Sequence, residues 1–441
     1  MPHESKPPAP RSEEGLLRVV GRWDMVALVI NGIVGAGIFG LPAKVHALLG
    51  AWGVIAIVAC AALMGLIVLC FAEVSSRFTR TGGPYAYTDD AFGPLTAFVV
   101  GWLLWLARVT GLCAISAVLV EYLSLFFPSL AGNVPRALFL TAIIGSLAAL
   151  HIRGTRGVTK FGGAITIAKL APLLIFVIVG LPSVNWQHVS FDVLPTRASF
   201  SSGVLLLGFA LVGWENAAIA AGDIRDPRRD TPFALLFGLT LVAALYVGIQ
   251  LVCAGTLPGL ASSQRPLADA AMQFMGPAGA TLIVAGAAIS ILGTLNAGVL
   301  VLSRIPYAMA ESKQLPGALA RLHPVYRTPV LSIVVSCGIV LLLTLTRGHI
   351  YLLTISTISR LFVFAVTIVA LPVFRRRATA APALFSLPGG MTIPVVALVM
   401  IVWLLTGTSW KETRDVAIAT LAGMAVFLLT ARNRRNPLKS A

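Results

Sequence analysis

Polar and apolar positions in this chain fall into blocks. Apolar stretches as long as the roughly 17 to 25 residues a membrane helix needs recur at about 25–46, 51–74, 95–127, 135–151, 158–181, 201–222, 232–256, 276–301, 329–346, 349–373, 391–408 and 414–431. The segments between them are short, which leaves no room for a large soluble domain. The pattern predicts an all-α membrane protein of 12 transmembrane helices. Residues 1–21 read as a disordered cytoplasmic tail, 22–373 as a core of ten helices, and 374–441 as two peripheral helices with a C-terminal tail.

Two of these stretches are flawed in the same way. Residues 31–42 read NGIVGAGIFGLP, and residues 201–222 carry Gly208, Gly213 and the pair Glu215-Asn216 near their middle. Each glycine costs about 1 kcal/mol against alanine in a helix interior. Backbone that leaves the helix at membrane depth must be buried in protein or line a watery cavity. The alternative is that the glycines only let helices pack closely. Matched breaks five spans apart point instead to a transporter built from two inverted repeats, five helices plus five, with helices 1 and 6 broken at the substrate. A broken helix offers amide donors on one half and carbonyl acceptors on the other. The amides around Ala36, Gly37 and Ile38 would suit a carboxylate. The carbonyls near Ile33, and those of Phe209, Ala210 and on to Val212, would suit an ammonium.

Composition agrees with a bilayer setting and then narrows it. The chain is 57% hydrophobic and 11% charged, with a mean hydropathy of +0.90. Its net charge of +16 comes from 33 basic residues, of which 23 fall in segments on one side of the twelve-span topology, six on the other and four inside spans. That asymmetry places both termini in the cytoplasm and explains the charge without nucleic acid. No cleavable signal peptide is expected, because the first apolar segment is too long for one. The five cysteines lie in spans without metal-like spacing, the six histidines are scattered, and neither a cofactor nor a metal is expected. Of the charges inside spans, Lys169 and Arg108 matter most, since an intramembrane cation is costly and usually has a task.

Four motifs, in order, resemble the amino acid–polyamine–organocation transporter superfamily, most strongly its bacterial amino acid permeases and the arginine/agmatine exchanger branch. Residues 32–42 are similar to the first-helix signature. Gly83-Pro-Tyr-Ala-Tyr87 with Phe92-Gly-Pro94 resembles the loop between helices 2 and 3. Gly213-Trp-Glu-Asn-Ala217 and Asp226-Pro-Arg-Arg-Asp-Thr-Pro232 resemble helix 6 and the loop behind it. There Thr231 is expected as an N-cap and Pro232 as the first residue of helix 7.

The resemblance implies a substrate site made of Ile33, Gly35, Ala36, Gly37, Ile38, Arg108, Phe209, Ala210, Val212 and Asn296. It implies coupling or gating roles for Lys169, Glu215, Phe209 and Thr294. Ala36 stands where exchanger relatives have a serine, so the carboxylate would rest on amides. Phe209 matches an aromatic gate, and Glu215 an acidic residue linked to proton sensing. Lys169 matches a lysine standing where sodium sits in sodium-coupled cousins. Arg108 either contacts an acidic or polar substrate side chain or serves structure, by pairing with Glu215 or bonding carbonyls at a helix break. Asn296-Ala297 replaces a tryptophan of the arginine exchanger, which argues against arginine. The implied activity is secondary transport of amino acids in a bacterial inner membrane, by proton symport or exchange and without sodium. A homodimer is compatible with it. A polyamine or organocation carrier and a non-transporting amino-acid sensor are the alternatives. A channel would need a repeated pore loop, and an enzyme would need clustered reactive side chains; neither pattern is present in the sequence.

Overall fold

The computed structural model describes residues 21–79, 82–124, 126–153, 162–219, 224–326, 328–346, 348–377 and 381–435, apart from the side chains at 36, 162–167, 219, 349 and 431–435. Most of the expected N-terminal tail, Asp223 and the side chain of Ala36 therefore lie outside the described residues. The described chain is helical: α1 Arg22–Ile33, α2 Ala36–Leu49, α3 Trp52–Ser75, α4 Pro84–Phe92, α5 Pro94–Leu123, α6 Asn133–Ile152, α7 Gly162–Gly180, α8 Arg197–Ala210, α9 Glu215–Ile219, α10 Pro227–Thr256, α11 Pro266–Glu311, α12 Val330–Thr346, α13 His349–Arg376, α14 Thr392–Thr406 and α15 Trp410–Arg435.

Among them, α3, α5, α6, α10, α11, α13 and α15 are long and apolar enough to cross a membrane alone. The pair α1–α2 does so together, bent by 47° at its break. Shorter apolar helices occur at Ala168–Ser183 within α7 and its continuation, and as α8, α12 and α14. The most apolar window of α5 is 89% buried, whereas those of α6 and α15 are 17% and 11% buried. Helix α5 is therefore the pillar of the bundle, packed against α13, α11 and α4. The apolar outer faces of α6 and α15 are suited to lipid.

Two boundaries differ from the sequence expectation. Helix α10 opens at Pro227, with Asp226 as its N-cap, and Pro232 lies inside it. A proline at the first helical position costs no hydrogen bond, so the Asp-Pro at 226–227 starts the helix before Thr231-Pro232 is reached. Helix α11 begins ten residues before position 276 and passes through a kink at Gly276, φ 65°, because Pro266 supplies an earlier start. The segment around Gly83 forms the short helix α4, entered through Gly83 at φ 53°.

One end of the bundle is tied by Glu73, which is fully buried. Its carboxylate accepts from Arg375 Nε at 2.8 Å and Nη2 at 2.5 Å, from Arg77 at 3.3 Å and from the Leu387 amide at 2.9 Å. It thereby joins α3, α13 and the segment leading to α14. Truncating one member of a buried ion pair leaves its partners uncompensated. Because Arg375 keeps a 22% exposed side chain, Glu73→Ala should cost about 2 kcal/mol, below the usual range for a fully buried pair. Thermal unfolding of the detergent-purified protein checks it.

Candidate substrate site

The site is built from two interruptions that face each other. Helix α1 ends at Ile33, Val34 and Gly35 are extended, and α2 begins at Ala36. Helix α8 ends at Ala210, and the chain passes Gly213 at φ 113° before α9 begins at Glu215. A methyl group on Gly32 would stand 2.5 Å from the Gly213 carbonyl oxygen, and one on Gly213 would stand 2.1 Å from the Gly32 oxygen. Any side chain at either position would push the two breaks apart. At Gly213 the left-handed backbone excludes most residues as well. Trp214, fully buried, braces the second break between Phe71 and Phe364, with ring centroids 4.8 and 4.9 Å away.

The exposed backbone groups are then divided among distinct partners. On α1, Lys169 Nζ from α7 donates to the Val34 carbonyl at 3.2 Å and the Asn31 carbonyl at 3.4 Å. It also donates to Thr294 Oγ1 of α11 at 2.9 Å. Thr294 in turn donates to the Ser290 carbonyl, so its oxygen is oriented to receive the ammonium. The Ile33 carbonyl accepts from Tyr246 of α10 at 3.2 Å. What remains lies on the other two half-helices. The first amides of α2, at Ala36, Gly37 and Ile38, have no intrahelical acceptor, and the last carbonyls of α8, through Ala210, have no intrahelical donor. Gly37 brings these halves together, since a methyl there would lie 2.9 Å from the Ala210 Cα and 3.5 Å from the Phe209 ring.

A narrow cavity of about 10 Å³ opens beside Gly37 and Gly40, close to the minimum that holds one water. Phe209 forms one wall. The others are Leu41 of α2, Ala114, Ile115 and Val118 of α5, and Ile350 and Leu353 of α13.

Arg108 and Glu215, singled out from the sequence, are brought together away from this cavity. Glu215 is fully buried and its Oε2 accepts from the Gly213 amide at 2.8 Å, which closes the turn it follows. Its Oε1 accepts from Arg108 Nη2 at 3.2 Å and from Arg360 of α13. Arg108 also donates to Asn216 Oδ1. Of the two roles open for Arg108, the geometry shows the pairing with Glu215. Arg360 received no role from the sequence, although a mid-span arginine was signal enough. Tyr246 and Asn216 were likewise missed, being ordinary residue types on apolar helices. Asn296 binds His151 Nε2 of α6 at 3.0 Å through both its side-chain and main-chain oxygens. Val212 is buried within the second break.

Two backbone breaks packed against each other beside a small cavity in a multi-pass helical bundle define a membrane transporter. The chain belongs to the amino acid permease family, whose sequence model matches residues 20–427. It is 30% identical over 442 residues to the serine/threonine exchanger SteT of Bacillus subtilis, covering 94% of this chain and 96% of the relative. It is 28% identical over 460 residues to the methylthioribose transporter of that organism, covering 96% and 95%. With its branched-chain amino acid permease BcaP it shares 25% over 446 residues, again covering 96% and 95%. The protein is a permease and not an enzyme.

Two outcomes test this geometry. Glu215→Gln would leave two buried arginines facing each other, whereas Arg108→Met would leave a balanced Arg360–Glu215 pair. The first should therefore destabilise the protein by about 3–5 kcal/mol and the second by clearly less, as read from thermal unfolding in detergent. Gly37→Ala should spread α2 from α8 and abolish amino-acid-dependent thermal stabilisation, while the protein still elutes as a single species on size exclusion.

Proposed function

We propose that this amino acid permease is a sodium-independent secondary transporter of a bacterial cytoplasmic membrane, with both termini inside. It would work by alternating access through proton symport or substrate exchange, on a scaffold of twelve crossings with five-plus-five inverted repeats. The observation that carries the reading is Lys169. Its ammonium, buried at 1% exposure, bridges the broken α1 to Thr294. A monovalent cation held by two carbonyls and a hydroxyl could do the same, so a fixed ammonium there removes the need for a sodium ion.

The zwitterion follows from the groups left over. The α2 amides suit its carboxylate, because helix N-termini attract anions. The α8 carbonyls suit its ammonium. Phe209, which lines the cavity and lies near Arg360, would act as a gate. The cluster of Arg108, Glu215 and Arg360 joins α5, α9 and α13, and would hold these helices together in one of the alternating states. Exchange by SteT, among the relatives, supports exchange as the working mode here.

Uptake of labelled amino acid into proteoliposomes tests the reading. Replacing sodium with choline should leave the rate unchanged. Lys169→Ala should lower it by about 10- to 100-fold, the equivalent of the charged hydrogen bonds lost. Uptake that requires sodium, or a fully active Lys169→Ala protein, would contradict the proposal.

A further inference from the structure

We propose that the substrate carries an uncharged aliphatic side chain, of the valine or leucine kind, and that the apolar walls between α2, α5 and α13, closed here on about 10 Å³, part to receive it. This rests on the amino acid reading above and specifies the end of the substrate which that reading leaves open.

The first argument is the wall. Beyond the amides of α2, the surfaces facing the cavity are Leu41, Ala114, Ile115, Val118, Ile350 and Leu353. None of these side chains offers a donor or acceptor. A hydroxyl or amide placed there would lose its water without gaining a partner, which costs free energy. A methyl group would gain from the same surface.

The second argument is charge. Among the described residues, the buried carboxylates are Glu73, Glu215 and Asp230. Each is already paired with arginine: Glu73 with Arg375 and Arg77, Glu215 with Arg108 and Arg360, Asp230 with Arg22. A guanidinium or ammonium side chain, or a polyamine, would find no counter-charge in the cavity and would sit in the field of Lys169, Arg108 and Arg360. An acidic side chain would need one of those arginines. Arg360 lies near Phe209, as Gly111 shows: a methyl there would be 3.5 Å from the Phe209 ring and 3.9 Å from Arg360 Nη2. Both arginines are committed to Glu215.

The third argument separates aliphatic from hydroxylated substrates. Valine and threonine have the same shape, so an apolar wall distinguishes them only through the hydroxyl. Such a pocket rejects the hydroxylated isostere by up to about 100-fold.

Counterflow into proteoliposomes made from the full-length protein decides the matter, using labelled valine, leucine, threonine, arginine, glutamate and methylthioribose in parallel. Valine and leucine should exchange fastest, threonine about tenfold more slowly, and arginine and glutamate at background. Threonine, arginine or glutamate exchanging as fast as valine would overturn the inference while leaving the amino acid reading intact. Exchange of methylthioribose alone, or of none of the six, would overturn both. A second arm uses Ala114→Phe, which fills the cavity from α5. It should abolish leucine exchange while glycine, which needs no side-chain space, still exchanges. Unchanged leucine exchange by that variant, with its size-exclusion profile intact, would place the side chain elsewhere and also overturn the inference.

Discussion

The mutual contact of Gly32 and Gly213 is the constraint on which the rest of the structure depends. Each carbonyl occupies the space a Cβ on the other would need. Two chains can approach this closely only where both lack side chains, and they do so where both have left the helix. Leaving the helix in a bilayer frees polar groups that water cannot reach. Three buried side chains near the breaks answer that need directly. Lys169 and Tyr246 take the carbonyls of α1, and Glu215 takes the Gly213 amide. The amides opening α2 and the carbonyls closing α8 are the groups that the proposed reading assigns to a ligand.

Charge follows from the same need. Glu215 is required at the turn, yet an isolated carboxylate at that depth would be prohibitively costly. Arg108 and Arg360 offset it and overshoot, leaving the cluster with a net positive charge. Together with Lys169 this makes the centre of the bundle cationic. On the proposed reading a zwitterion would tolerate that field, its carboxylate lying toward the α2 amides, whereas a second cationic group on the substrate would not. The buried arginines are also mechanically useful. They come from α5, the bundle's pillar, and α13, and both converge on the helix whose break must move if access is to alternate.

Much of this was legible in the sequence. Runs of apolar residues gave the helices, since a bilayer imposes length on them. The two breaks were visible because glycine clusters are rare inside such runs, and the first falls at Val34-Gly35 as NGIVGAGIF suggests. Lys169 was visible for the opposite reason, as a charge where none is cheap. Partners were harder to read. The pairing of Arg108 with Glu215 spans 107 positions and that of Arg360 spans 145, and no local pattern encodes either. Asn296 stands out as polar on an apolar helix, and its contact with His151, 145 positions away, is another pairing that no local pattern encodes. The start of α10 was misplaced because two Asp/Thr-Pro pairs compete within a few residues, and the earlier one wins by leaving more helix to pack on α3.

The division of labour between the two breaks carries a consequence for coupling. If Lys169 served the substrate directly, its ammonium would compete with the substrate's own for the same acceptors. Instead its acceptors lie on the α1 side and on Thr294, while the α8 carbonyls lie across the gap beside Phe209. On the proposed reading, lysine and substrate would therefore hold opposite faces of one interruption. Whatever displaces α1 must stretch the bonds from Lys169 to Asn31 and Val34. Whatever binds between α2 and α8 must part half-helices that already touch at Gly37. The two events are linked through a break only two residues long, Val34 and Gly35, and a hinge that short leaves little freedom for one half to move without the other.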